Sequence, residues 1–351
     1  MSGSSLFATL GAAIQSFSSP SYSLKVPIPE AKTDPTVLAF ESELASHLDQ
    51  LNLSDETRYL RIQWLCQAMD MVLSTHSSTE RMVSESHHPV SNVDGKSINT
   101  LLENSIKLLD TCVVLKTAVG EIKNYCGYLE IALRAVQKDP MSEIQVKRCM
   151  KALKKCMEVL NRKDDFVHHF GQRRSKLENC SSTLRRMGEK LNTEVNSIGN
   201  YPTAIYAAQV VTIFVCSLLS SAFSLKPKRS FSSVCAGGQS SWSFSLSRLQ
   251  KQVKEQTDQK KSRGSIALLE ELDMADIAVR DFHNLLEKRL HRNPSFEKVA
   301  QILKVKESVE VLQALLTDLQ HGISTLEFQV ESIYRNLLRS RMAFIDMHQG
   351  S

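Results

Sequence analysis

The chain has 351 residues and a net charge of +5, with only 13 glycines and 9 prolines. The length allows one large or two ordinary domains, and the scarcity of Gly and Pro favours long helices over a turn-rich β fold. The modest positive charge gives no global signal for nucleic-acid binding. Hydrophobic periodicity then predicts an all-α multi-helix bundle with long antiparallel helices, a central apolar helix and a coiled-coil-like C-terminal helix.

Residues 1–33 are rich in serine and contain no acidic residue before Glu30. This composition predicts a disordered N-terminal tail. A plastid transit peptide is the alternative, and the absence of Arg from the segment counts against it. No secretory signal is visible, since no basic stretch precedes an apolar run.

Residues 34–200 predict an N-terminal bundle of about five helices, because apolar residues recur there at helical spacing. Asp34 followed by Pro35 is a favourable helix start. Ser142 and Gln145 have the spacing of a capping box. The expected helix starts, in chain order, are Asp34, Ser54, Ser97, Ser142 and Asp164.

Residues 201–225 contain no Asp, Glu, Lys, Arg or His. As a helix, the part from Ala204 to Leu225 reaches roughly 33 Å, which matches the ~30 Å hydrocarbon core of a bilayer. A membrane span is therefore one interpretation. A core helix enclosed by other helices is the other, since such a helix is also apolar all round. Gln209 opposes the span, because its amide needs a hydrogen-bond partner in an apolar layer.

Residues 226–265 hold nine Lys or Arg and two acidic residues, and they predict a basic, Ser-rich linker. Lys226, Lys228 and Arg229 directly follow the apolar segment, so they are expected to contact an anionic membrane from its cytoplasmic side. Simple solvation is the alternative. Phosphorylation of Ser230 or Ser265 would reduce the positive charge of this linker.

Residues 266–347 predict a C-terminal helical hairpin, with a break at Asn293-Pro294-Ser295. Apolar residues in the last helix step alternately by four and three, which is a period of 3.5. This seam fits either a long helix of the chain's own antiparallel bundle or an intermolecular coiled coil. Its residues are Leu312, Leu316, Leu319, Ile323, Leu326, Val330, Ile333 and Leu337.

The sequence contains no phosphate-binding, dinucleotide-binding, nucleophile-elbow or zinc-protease motif. Asp165, His168 and His169 share a helix face and are the best metal candidate, but a solvated polar face explains them better. The eight cysteines form no C-x-x-C pair, and we expect small buried residues in a reducing compartment. We therefore predict no enzyme, no catalytic, cofactor-binding or metal residues, no cofactor and no nucleic-acid partner.

Several stretches of the chain are distinctive in combination. One is Pro89-Val90-Ser91, followed by NSIKLLDTC from Asn104 to Cys112. Another runs from Ala204-Ile205-Tyr206 into VTIFVCS at 211–217, and the last is LLRSR at 337–341. Together they resemble the plant BYPASS family over roughly residues 37–342, and the last stretch is similar to the end of the family's C-terminal helix.

The resemblance implies a plant-specific, non-enzymatic helical protein that acts in root and shoot development. Family members restrain a root-derived mobile signal, and related proteins are linked to membrane traffic and the exocyst. The expected function is thus a membrane-associated helical scaffold at the cytoplasmic face of the plasma membrane or an endomembrane. A soluble adaptor in membrane traffic, with 201–225 as core, is the alternative. The expected partners are proteins bound through helix faces.

Overall fold

The computed structural model describes residues 34–52, 59–85, 95–137, 141–161, 171–195, 203–224, 240–265, 267–291 and 298–349. Within these ranges the chain forms nine α-helices and no strand, which confirms the all-α multi-helix prediction. The helices are α1 Pro35–Asn52, α2 Ile62–Glu85, α3 Gly95–Ala135, α4 Glu143–Asn161, α5 Gly171–Val195, α6 Thr203–Phe223, α7 Ser241–Ser262, α8 Glu270–His291 and α9 Lys298–Gln349. The predicted tail, residues 1–33, lies outside the described residues.

The two longest helices, α3 and α9, pack side by side in antiparallel directions. Lys116 on α3 pairs with Glu331 on α9, and Lys123 further along α3 pairs with the earlier Glu327. Near the end of α9, the Arg341 guanidinium donates a hydrogen bond of 2.6 Å to a carbonyl close to the start of α3. Polar contacts therefore fix the register of these two helices along their length.

The predicted seam of α9 is buried within the chain itself. Helix α9 contacts α2, α3 and α8, so the apolar stripe faces the bundle. Residues from α1 through α9 contribute to this one hydrophobic core. The buried seam residues are Leu312, Leu316, Leu319, Ile323, Leu326, Val330, Ile333 and Leu337.

Helix α4 begins with the predicted capping box. The Gln145 backbone N–H donates to the Ser142 hydroxyl oxygen at 3.3 Å, and the Ser142 N–H donates to the Gln145 side-chain oxygen at 2.8 Å. These reciprocal bonds satisfy two N–H groups that a helix start otherwise leaves without partners. The structure confirms the prediction made for this helix start.

Helix α2 begins later than the expected start at Ser54, which itself lies outside the described residues. A turn at Tyr59 and Leu60 precedes the helix, and Leu60 has a positive φ of 65°. The cap comes from α8, because both carboxylate oxygens of Glu271 lie 3.1 Å from the Ile62 N–H. A cap supplied by a residue so distant in sequence leaves no signal beside the helix that it starts.

Part of the predicted linker 226–265 is helix α7, Ser241–Ser262, and this corrects the expectation that the whole segment is a linker. Helix α7 packs antiparallel on α1: Asn52 donates to the Ser245 carbonyl at 3.2 Å, while Arg248 pairs with the earlier Asp49 at 3.5 Å. Its buried apolar residues are few and lie among many polar residues, so the sequence gives only a weak signal for this helix. They are Trp242, Leu246, Leu249 and Val253.

Candidate functional site

Helix α6 is the segment on which the membrane interpretation depends. Of the helices that the structure describes, it is the one long and apolar enough to cross a membrane by length and composition. It nevertheless contacts α1, α2, α3 and α5. All of its residues are buried except Thr203, Ser217 and Ser221. The chain therefore encloses this helix with its own helices.

The most polar residue of α6 has a partner inside the bundle. The Asn104 amide on α3 donates to the Gln209 side-chain oxygen at 3.3 Å, and both residues are buried. An amide left without a partner in an apolar layer costs on the order of 1–3 kcal/mol. The pairing supplies the partner that Gln209 requires.

A second buried contact joins α6 to α2. The His76 Nε2 lies 2.9 Å from the Thr212 hydroxyl oxygen, and that hydroxyl donates to the Ala208 carbonyl at 2.6 Å. Because the Thr212 hydrogen is already used, His76 donates from Nε2 in this contact. Burial lowers the pKa of His76 from 6.5 to about 4, so the ring is neutral at pH 7.

A third contact joins α6 to α5. The Ser220 hydroxyl lies 3.0 Å from the Ser181 hydroxyl and 3.2 Å from the Leu177 carbonyl, to which it donates. Lipid tails offer no hydrogen-bond partners of this kind. The polar side chains of α6 are thus matched to specific atoms on α2, α3 and α5, which is the pattern of a core helix.

Residues predicted to contact a membrane fall into two groups. Residues 204–224 are described and mostly buried, as given above. The other group lies outside the described residues: Leu225, Lys226, Lys228 and Arg229. The contact proposed for those bases stays a prediction.

The described cysteines are buried or half-buried thiols. Burial raises the pKa of Cys112, Cys149 and Cys156 to about 12, and it raises the pKa of Cys66 to about 11. A thiol needs its deprotonated form to act as a nucleophile. These four thiols are therefore unreactive near neutral pH, as expected for small core residues.

The metal candidate of the sequence, Asp165 with His168 and His169, lies outside the described residues. Within the described ranges, no group of three or more His, Cys, Asp or Glu side chains is placed to hold a metal ion. That observation covers only those ranges. The expectation of no metal site remains a prediction for the whole chain.

Two open grooves lie between neighbouring helices. The groove between α1 and α2 has a volume of about 560 Å³. One of its lining residues, Asp70, accepts a hydrogen bond of 2.6 Å from Gln329 on α9, so this acid is already engaged. The other residues of the lining are mostly uncharged, and they include Gln50, Gln67 and Ser74.

The second groove lies between α3 and α4, has a volume of about 530 Å³, and is basic. We call it the α3–α4 groove. No sequence pattern predicts this groove, because its residues come from two helices whose pairing only the fold reveals. The one signal present in the sequence is the run of Lys and Arg in α4. Its principal lining residues are Tyr128, Ile131, Arg134, Arg148, Lys151 and Lys155.

Comparison with known proteins places the chain in a family. The family profile described as "Protein ROH1-like" matches residues 28–200 and 179–348. "Protein BPS1, chloroplastic" of Arabidopsis thaliana is 21% identical over 320 residues, which cover 90% of this chain and 84% of that protein. "Protein ROH1D" of the same plant is 21% identical over 359 residues, which cover 90% of this chain and 89% of ROH1D.

A rice relative is longer than this chain. "UPF0496 protein 4" of Oryza sativa subsp. japonica is 26% identical over 260 residues, covering 72% of this chain but only 55% of that protein. The chain thus spans about half the length of this relative. No solved structure matches the chain. Since the family profile covers most of the sequence, the chain belongs to the BYPASS/ROH1-like family of plant proteins.

Proposed function

We propose that this chain is a non-enzymatic helical scaffold in plant development, which binds protein partners through its outward helix faces and keeps α6 as a core helix. The observation that carries the proposal is the enclosure of α6, with the contacts of Gln209, Thr212 and Ser220 to three other helices. This favours the soluble adaptor over the membrane-associated scaffold. The membrane-associated scaffold remains the alternative.

Outward faces of several helices carry large apolar side chains, which supports binding to proteins. Phe328 on α9 is 71% exposed, Phe244 on α7 is 66% exposed and Ile144 on α4 is 65% exposed. Large apolar side chains contribute most to the free energy of binding when a partner protein covers them. The described grooves are open clefts between helices, which suits a macromolecular partner better than a small substrate.

The developmental role follows the family resemblance: the protein restrains a root-derived mobile signal that arrests shoot growth. Reciprocal grafting tests this role. A wild-type shoot on a root lacking the protein is expected to arrest, and a mutant shoot on a wild-type root is expected to grow. Normal growth of both grafts would contradict the proposal that the protein restrains a mobile signal.

Location is proposed at the cytoplasmic face of the plasma membrane or an endomembrane, reached through protein partners. A plastid is the alternative, because the similar Arabidopsis BPS1 carries "chloroplastic" in its name. A fluorescent protein fused to the C-terminus, viewed beside plastid autofluorescence, distinguishes the two locations.

Membrane fractionation tests the core-helix proposal. The expressed full-length protein is expected in the supernatant, or in a pellet from which 1 M salt or carbonate releases it. Retention through both washes would show an inserted α6 and overturn the proposal. The control variant changes Lys226, Lys228 and Arg229 to Gln. If only the wild type pellets at low salt, those bases make a peripheral contact while α6 stays in the core.

A further inference from the structure

The α3–α4 groove concentrates positive charge without any acidic residue in its lining. Arg134 reaches it from α3, and Arg148, Lys151 and Lys155 reach it from α4. Helix α4 as a whole has five Lys or Arg and two Glu. The groove is therefore an electropositive cleft on a protein whose net charge is only +5.

Two of these bases are available for a ligand. Neither Arg148 nor Lys151 forms an ion pair with any residue that the structure describes. By contrast, Arg134 pairs with Glu130 on its own helix, and the Lys155 ammonium lies 5.2 Å from the centre of the Tyr128 ring. Arg134 and Lys155 are therefore already engaged, whereas Arg148 and Lys151 remain able to attract an anion.

Apolar side chains accompany the bases. Ile131 lines the groove and is 57% exposed. On α4, exposed Ile144 lies on the same helix face as Arg148 and Lys151, because the spacings are four and three residues. A ligand that fits this surface therefore needs negative charge together with an apolar stripe.

We propose that the α3–α4 groove docks an acidic amphipathic helix of a partner protein. A helix laid between two helices is a common recognition mode, with apolar anchors at i, i+3 or i+4, and i+7. From Gln145 to Lys155, α4 extends about 15 Å, enough for about three turns of a bound helix. The inference rests on the proposed function only in taking a protein as the partner.

The shape and chemistry of the groove favour this occupant over two others. A free phosphate has no apolar atoms to cover Ile131. An anionic membrane is broad and nearly flat, so it would contact only the rims of a cleft. It would not reach Tyr128, which lines the groove. An acidic amphipathic helix meets both the bases and the apolar residues, and charge complementarity speeds its association.

Fluorescence anisotropy with the purified full-length chain tests the proposal. The probe is a labelled 14-residue helical peptide with Leu at i, i+3, i+7 and i+10 and with Glu at most other positions. A scrambled peptide of identical composition keeps the charge and loses the stripe. Vesicles of phosphatidylcholine and phosphatidylserine form a separate arm. We expect saturable binding of the amphipathic peptide and binding at least tenfold weaker for the scrambled one.

A matched pair of variants locates the binding. Lys151→Glu and Lys154→Glu make the same charge change on the same helix, but only Lys151 lines the groove, while Lys154 is exposed outside that lining. We expect Lys151→Glu to weaken peptide binding about tenfold, equivalent to ~1.4 kcal/mol, and Lys154→Glu to change it less than twofold. Ile131→Ser is expected to weaken it several-fold.

Three results would overturn the inference. The first is no saturable peptide binding up to 1 mM, and the second is equal binding of the scrambled peptide. The third is that Lys151→Glu and Lys154→Glu weaken peptide binding equally while the wild type binds the vesicles more tightly than the peptide. That result would indicate that the bases contact a membrane surface. Circular dichroism confirms that each variant folds. Retention through the salt and carbonate washes depends on α6, whereas peptide binding depends on the α3–α4 groove, so failure of one proposal is distinguishable from failure of the other.

Discussion

The imidazole of His76 on α2 donates from Nε2 to the hydroxyl oxygen of Thr212, in the middle of α6, over 2.9 Å. Burial lowers the pKa of this histidine from 6.5 to about 4. Between those two values the unfolded chain binds a proton that the folded chain does not. Acidification through this window therefore destabilises the fold, and the loss is complete only below about pH 4.

The first prediction is a pH dependence of stability that His76 causes. Between pH 7.5 and 5, the wild type should lose about 2 kcal/mol of unfolding free energy more than a His76→Gln variant. Urea unfolding at both pH values measures it. His321→Gln, on an exposed position of α9, is the control and should behave as the wild type. Identical pH dependence in wild type and His76→Gln would contradict this assignment.

The second prediction concerns the buried pair of Asn104 and Gln209. Gln209→Leu leaves the Asn104 amide donor without its 3.3 Å acceptor and should destabilise the fold by about 1–3 kcal/mol. Changing both residues to Leu removes both polar groups and should cost less than the sum of the single changes. Urea unfolding of the four proteins gives the coupling energy. Strict additivity would show that the pair does not interact.

The third prediction concerns Gly322 on α9. A Cβ atom there would lie 2.6 Å from Cγ1 and 2.7 Å from both Cδ1 and Cγ2 of Ile62. Gly322→Ala should therefore destabilise by about 1–3 kcal/mol despite the better helix propensity of Ala. Gly120→Ala and Gly127→Ala are matched controls, since a Cβ at either position meets nothing within 4 Å.

In thermal unfolding, these two controls should each raise the midpoint, because Ala favours a helix by up to about 1 kcal/mol over Gly. The double variant Ile62→Ala/Gly322→Ala should cost less than its two parts together, since the clash is absent. A stabilising Gly322→Ala would mean that α2 and α9 are further apart than the structure places them.

The fourth prediction tests the packing of α7. Trp242 is 1% exposed, and its ring lies 6.0 Å from the Tyr206 ring of α6. Trp242→Ala should cost about 3–5 kcal/mol. Phe244→Ala, two residues along the same helix at a 66% exposed position, should stay within about 0.5 kcal/mol. Equal effects in chemical denaturation would mean that α7 does not pack on the bundle in solution.

The sequence was sufficient for features that depend on local periodicity. The seam from Leu312 to Leu337, the capping box at Ser142 and the apolar helix near 203–223 all follow from short-range spacing, and the structure contains each of them. The sequence alone also indicates that Gln209 needs a hydrogen-bond partner. Its partner, Asn104, comes from a helix that is 105 residues earlier, and no spacing rule reaches that far.

Features that depend on long-range pairing leave no local signal in the sequence. The cap of α2 comes from Glu271, which is 209 residues away from the N–H that it accepts. In α7, Trp242 and Leu246 begin a narrow apolar stripe among Ser, Lys and Gln. The polar composition of the segment indicates a linker more strongly than this stripe indicates a helix. The α3–α4 groove forms because α3 and α4 pack together, which brings Tyr128 close to Lys155. The sequence predicts the two helices but not their packing.

The contacts of α9 have a consequence for the order in which the protein is made. Arg341 bonds to the Leu102 carbonyl, and Gln329 to Asp70, so α2 and α3 find these partners more than 200 residues later. Because synthesis adds about 5–20 residues per second, these partners of α2 and α3 are made roughly 12–50 s later. A chain that ends before α9 would lack these contacts, so the faces of α2 and α3 that α9 covers would stay exposed.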